Sequence, residues 1–124
     1  MVTLTKAEER IMKILWEIGE GFIKDIIEQF PDPKPPYNSV STIVRVLVQK
    51  EIVGFTAYGN THKYHPLISR DEYSKGQLSR LLKDYYNNSL REVVSFFSES
   101  KKLDEKELDE VMKMLEELKA KRDA

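Results

Sequence analysis

The 124-residue chain contains no cysteine, which excludes disulfides, thiolate metal sites and cysteine nucleophiles. Its only two histidines, His62 and His65, lie three residues apart in a stretch that reads as a strand. At that spacing they point to opposite faces, so no metal pair is expected. No apolar run approaches the roughly 18 residues needed to cross a bilayer. The N-terminus also lacks a basic region followed by an apolar core, so a cytoplasmic protein is expected. Glycine-rich phosphate loops, HExxH and GxSxG are absent, and the carboxylates fall on charged helix surfaces, where solvation rather than pKa tuning is expected. Neither catalysis nor a cofactor or metal is expected. A strong positive balance is missing too, because the formal net charge is −1. The distribution is uneven. Residues 34–68 carry Lys34, Arg45, Lys50 and Lys63 against Glu51 alone, a net +3 that leaves −4 for the remainder. So few cations would hold a polyanion modestly in a monomer, and a dimer that doubles the contacts is the physically sensible form for such binding.

Helical periodicity dominates what is present. Thr5 followed by Glu8 is a capping box, and Ile11, Ile14, Leu15 and Ile18 make an apolar stripe flanked by Met12 and Trp16, ended by Gly19 and Gly21. Trp16 reads as a packing anchor. A short second helix opens at Phe22 or Ile23 and uses Ile23, Ile26, Ile27 and Phe30, with Lys24, Asp25 and Glu28 facing water, until Pro31 and Pro33 stop it.

After Pro35 and Pro36, Val40, Ile43, Val44 and Leu47 build the buried face of a third helix, with Asn38 or Ser39 expected to cap it. Its outward residues, Ser39, Ser41, Thr42, Arg45 and Gln49, are hydroxyls, a guanidinium and an amide. These groups hydrogen-bond base edges and phosphates without filling the major groove. Short hydroxyls also serve as helix caps, so the face alone leaves base reading and capping both open. Tyr37 has two readings, a hydroxyl on a phosphate or packing beneath the helix.

Period-two patterning then runs through Val53, Phe55 and Ala57, turns at Tyr58-Gly59-Asn60, and returns through Thr61, Lys63 and His65. Asn60, Thr61, His62 and Lys63 are suited to lying along a phosphate backbone. A second capping box, Ser69 with Glu72, begins the C-terminal part. There Leu78, Leu81, Leu82 and Tyr85 form one stripe, Leu90, Val93, Val94 and Phe97 a second, and Leu108, Val111, Met112 and Leu115 a third. Three amphipathic helices in so short a segment need a surface to bury them. Interleaving the tails of two copies supplies it, and a compact monomeric subdomain is the alternative. The fold class expected is mainly α with a small β-hairpin wing: a winged helix-turn-helix domain over residues 1–68 and a three-helix dimerisation domain over 69–124.

The segments TKAEERIMKILW, YNSVSTIVRVLVQKEIVGF and GNTHKYHPLISRDEY together resemble the penicillinase and methicillin-resistance repressor family, which includes copper-responsive repressors. The resemblance spans nearly the whole chain. It implies a homodimeric winged-helix repressor on palindromic operators of double-stranded DNA, in front of resistance or transport genes. It also implies release through a membrane sensor-protease that triggers cleavage after an asparagine and before a phenylalanine in the C-terminal part. The equivalent place here is Ser95, Phe96 and Phe97, so the asparagine is missing. The cysteine motif of copper-responsive members is absent, and thiolate metal sensing does not carry over. Glu51 stands where the family usually has the glycine of a left-handed helix end; retaining that backbone with Glu costs about 1 kcal/mol.

Two functions follow for testing. One is a dimeric repressor whose DNA-binding residues are drawn from Tyr37, Asn38, Ser39, Ser41, Thr42, Arg45, Asn60, Thr61, His62 and Lys63. The other is a winged-helix module that meets another protein, which the near-neutral charge permits.

Overall fold

The computed structural model describes residues 2–100 and 104–123; residues 1, 101–103 and 124 lie outside the described residues. Helix α1, Lys6–Ile18, starts as its sequence requires: the Thr5 hydroxyl accepts the Glu8 N–H at 3.1 Å and the Glu8 carboxylate accepts the Thr5 N–H at 2.8 Å. Gly19 ends it at φ +85°, a conformation that disfavours a side chain. Ile11, Met12 and Leu15 are fully enclosed. Met12 is therefore central, while Ile14 and Ile18 only line the edge of the core.

Helix α2, Ile23–Glu28, is short, and its first turn is held by Asp25, whose carboxylate accepts the Phe22 N–H at 2.9 Å. Lys34 crosses the proline-rich connection to donate to the carbonyls of Glu28 and Phe30, satisfying the acceptors that a helix end leaves open. Helix α3, Tyr37–Gln49, then buries Val40, Val44 and Leu47. Its cap differs from the expectation. Pro36 occupies the cap position without a side-chain bond, and Asn38 and Ser39 lie inside the first turn. Proline fixes φ at a value that precedes a helix, so the turn begins one or two residues before the first side chain able to cap it.

The end of α3 is a complete Schellman motif: Ile52 N–H reaches Leu47 O at 3.0 Å and Glu51 N–H reaches Val48 O at 3.0 Å. Glu51 has φ +62°, so the left-handed turn is kept without a glycine. Ile52 drops into the core beyond it.

Strands β1, Val53–Tyr58, and β2, Thr61–Pro66, pair antiparallel with Phe55 opposite Tyr64 and Tyr58 opposite Thr61. Tyr58 therefore belongs to the strand, and the turn is the two residues Gly59-Asn60, with φ +61° at the glycine. Gly21 adds a short third rung: its N–H and C=O exchange bonds with Tyr64 at 2.9 and 2.8 Å. This tie locks the hairpin to the α1–α2 connection, as a ribbon of two strands needs.

Two units are present, Met1–Leu78 and Ser79–Ala124. Helix α4, Arg70–Tyr86, runs across the division, which falls later than the expected 68/69 boundary. The reason is Tyr73. It is buried against Trp16, with ring centroids 5.6 Å apart, and its hydroxyl donates to Glu9 at 2.9 Å. Trp16 in turn donates its indole N–H to Ile68 O at 2.8 Å, which fixes the chain where it enters α4.

The first unit holds the whole buried core, contributed by α1, α2, α3, Ile52 and Val53. The second comprises the end of α4, α5 (Leu90–Glu99, capped by Ser89) and α6 (Glu105–Asp123). Asn87 and Asn88, at φ +52° and +58°, break the chain between α4 and α5. No residue of α5 or α6 is buried. Of the twelve expected interface residues, Leu78, Leu81, Tyr85, Leu90, Val94, Phe97, Leu108, Val111, Met112 and Leu115 are exposed, and Leu82 and Val93 half-buried.

Candidate nucleic-acid interface

Because Val40, Val44 and Leu47 anchor one side of α3, the opposite side must face out. Tyr37, Asn38, Ser39, Thr42, Arg45 and Gln49 are exposed, and Ser41 is half-buried at the edge. Thr42 donates its hydroxyl to Asn38 O at 2.8 Å, a bond within the helix that leaves its oxygen lone pairs outward. Arg45 takes part in none of the salt bridges of the described residues.

Between α3 and the hairpin lies a cleft of about 640 Å³. Its walls come from Phe22, Ile23 and Lys24 at the start of α2, Tyr37, Ser41 and Arg45 on α3, and Asn60, Thr61, His62 and Tyr64 on the hairpin. Among the described residues no carboxylate lines it, although the chain has 21 acidic residues. Burial pushes the Tyr64 hydroxyl above its ordinary pKa, reinforced by Tyr37 and opposed by the Arg45 charge. His62 is held flat on Phe55, with centroids 4.2 Å apart and planes 8° from parallel.

Strand alternation separates the remaining wing residues. Thr61 turns its hydroxyl back to Tyr58 O at 2.9 Å, closing the hairpin end. Lys63 is not brought to the cleft: it points to the other face, pairs with Glu20 at 3.1 Å and lies 5.9 Å from the Phe22 ring centroid. The Glu20 hydrogen bond holds its ammonium above the usual lysine range. His65, also on that face, sits over Gly54, where a Cβ would come within 2.8 Å of its ring. Lys24 and Tyr64 are the polar residues of the cleft that the sequence reading leaves out. A cation at the head of the helix preceding a polar-faced helix was the available signal.

A short helix, a proline-bearing connection, a polar-faced helix and a hairpin beside it define a winged helix-turn-helix domain, an architecture widely used by DNA-binding regulators. The model of the penicillinase repressor family matches residues 4–117, and the chain belongs to that family. Penicillinase repressors of Bacillus licheniformis and Staphylococcus aureus are 25% and 22% identical to it over 121 residues each. The alignments cover 94% of this chain and 91% of the first relative, and 97% and 96% for the second. A solved CopR repressor structure shares 28% identity at a TM-score of 0.45, over 55% of this chain and all of the other. No described helix is long and apolar enough to cross a membrane, and the described residues hold no cluster of metal-ligating side chains.

Proposed function

We propose that the protein is a homodimeric DNA-binding transcriptional repressor that occupies a palindromic operator and excludes RNA polymerase. The observation that carries this reading is the outward row of α3, Asn38, Ser39, Thr42 and Arg45, standing beside a cleft whose polar lining, among the described residues, is two cations, hydroxyls, an amide and an imidazole without a carboxylate. Such a row presents donors and acceptors to base edges, and such a cleft suits a phosphate. Family membership supports the same conclusion, and the names of the two curated relatives point to an antibiotic-resistance gene as the target.

Dimerisation is supported by the second unit, whose apolar stripes have no enclosed core within one chain. Two copies sharing those stripes would set two α3 helices against successive major grooves, about 34 Å apart. Release by a sensor-triggered protease would fall at Phe96-Phe97 on α5, both exposed, and would cut the helices on which the dimer depends.

The deciding experiment is selection of bound fragments from genomic DNA, followed by binding at graded salt. A recovered palindrome, and a log–log salt slope of about −5 for roughly six phosphate contacts per dimer, are expected. Failure to enrich any sequence, with salt-insensitive capture of a protein partner instead, would replace this reading with the interaction-module one. Intact chain alone, by mass spectrometry of the protein from β-lactam-treated cells, would remove the proteolytic step.

A further inference from the structure

We infer that the cleft between α3 and the hairpin seats one phosphodiester of the duplex, and that His62 takes up a proton when it is filled, so that DNA binding is proton-linked. This rests on the DNA-binding reading and goes beyond it by assigning the ligand group and the titrating residue.

The cleft gathers Lys24 from α2, Tyr37 and Arg45 from α3, and His62 and Tyr64 from β2. Those are the titratable groups that line it among the described residues, and the Phe55 ring of β1 lies flat against His62. Of these side-chain types only histidine ordinarily changes charge between about pH 5 and 8. A DNA diester keeps one negative charge throughout that range, so it cannot itself be the titrating partner.

The stack on Phe55 fixes the plane of the imidazole. Ring nitrogens lie on the perimeter, so in a flat stack they are presented sideways, where a phosphate oxygen accepts from them. Lys24 and Arg45 line the same cleft, and no carboxylate does among the described residues. A seated phosphate brings a negative charge beside the imidazole. It favours the imidazolium electrostatically and as a hydrogen-bond acceptor, and it screens the two cations from it. The bound state therefore holds more protons than the free state, and linkage makes affinity rise as pH falls. Neutralising Lys63 with Glu20 on the opposite face leaves His62 as the hairpin's variable charge toward the cleft.

The test uses the full chain and a short fluorescent duplex of random sequence at fixed ionic strength. Calorimetry near pH 7 in two buffers of different protonation enthalpy counts the protons taken up. Uptake of up to about one proton per protomer is expected, with affinity falling roughly three- to tenfold per protomer from about pH 6 to 8. His62→Gln should abolish the uptake, and His62→Lys should bind with an affinity that no longer follows pH. His65→Gln, on the far face, should keep it. DNA binding by the unaltered protein without proton uptake, or uptake that survives His62→Gln, overturns this inference while sparing the repressor reading. Absence of binding to this duplex at every pH overturns the inference, and absence of binding to any selected operator as well overturns both.

Discussion

Glu8 and Lys50, 42 residues apart in sequence, meet at 2.8 Å, the carboxylate closed inside the first unit and the ammonium reaching it from the C-terminal end of α3. The bond ties the start of α1 to the end of the helix that carries the candidate base-reading row. Burial pushes the Glu8 carboxyl upward, but Lys50 and the two hydrogen bonds with Thr5 outweigh it, and the group is held below its usual value near 4.5.

Removing one partner exposes what the pair does. Lys50→Met should cost roughly 1–2 kcal/mol in urea unfolding, less than a fully enclosed pair would lose because Lys50 is partly in water and Glu8 keeps Thr5. The same lowered pKa predicts acid sensitivity. A carboxyl depressed in the folded state contributes stability that is complete above about pH 4.5 and is lost as pH falls toward the folded value. Glu8→Gln should flatten that acid limb, and an unchanged limb would show that other carboxylates set it.

At Glu51, the φ of +62° is a strain that a β-carbon creates and glycine lacks. Glu51→Gly should stabilise by up to about 1 kcal/mol, offset in part by the freer unfolded chain, and raise the melting temperature by a few degrees. A fall in melting temperature would mean that the carboxylate makes a compensating contribution.

Spacing alone located α1, α2, α3, the hairpin and the C-terminal stripes, because each follows from a local period that burial on one side imposes. The left-handed turn at Glu51 was suggested by the family resemblance, which has glycine there, and not by spacing. What local patterns do not carry is contact between distant segments. The Gly21–Tyr64 rung, the Glu20–Lys63 pair and the enclosure of Met12 depend on how the elements meet. For the same reason Lys24 looked like an ordinary surface lysine until α2 and the hairpin were placed beside each other.

Tyr73 offers an optical test of the α1–α4 join. Burial first, then the hydrogen bond to Glu9, pushes its hydroxyl up to about 12. Absorbance titration of the phenolates should find one of the six tyrosines ionising about two units late, a component that Tyr73→Phe removes. A group raised in the folded state stabilises below its unfolded pKa near 10 and ceases to as pH climbs through the folded value. The unaltered protein should therefore lose stability between about pH 10 and 12 more steeply than Tyr73→Phe. At neutral pH the variant should be about 1 kcal/mol less stable, the worth of one partly buried bond. Equal alkaline limbs would place the loss elsewhere.

Arg45 is exposed on α3 at the cleft, so its removal should leave folding intact while affecting binding. Arg45→Ala should weaken binding to the selected operator by about 1–3 kcal/mol and relax preference at one base pair, as loss of a bidentate contact to guanine would. A uniform loss across sequences, with a shallower salt slope, would reassign Arg45 to the phosphate backbone.

Val111 lies on the middle of the α6 stripe and is exposed in the single chain. A charge there costs an isolated protomer little, because water already reaches the position. In a shared helical core the same charge would be buried twice across the two-fold axis, unpaired and facing its own copy, a penalty of several kcal/mol. Val111→Glu should therefore convert a dimer into a monomer in sedimentation while the buried core, which lies wholly in the first unit, stays folded by circular dichroism. Operator affinity should fall at least a hundredfold with it, since each α3 would then hold its half-site without the effective concentration that the tether to a second copy provides. A dimer that survives Val111→Glu and equivalent changes at Leu108 and Leu115 would mean that α6 is not the shared surface.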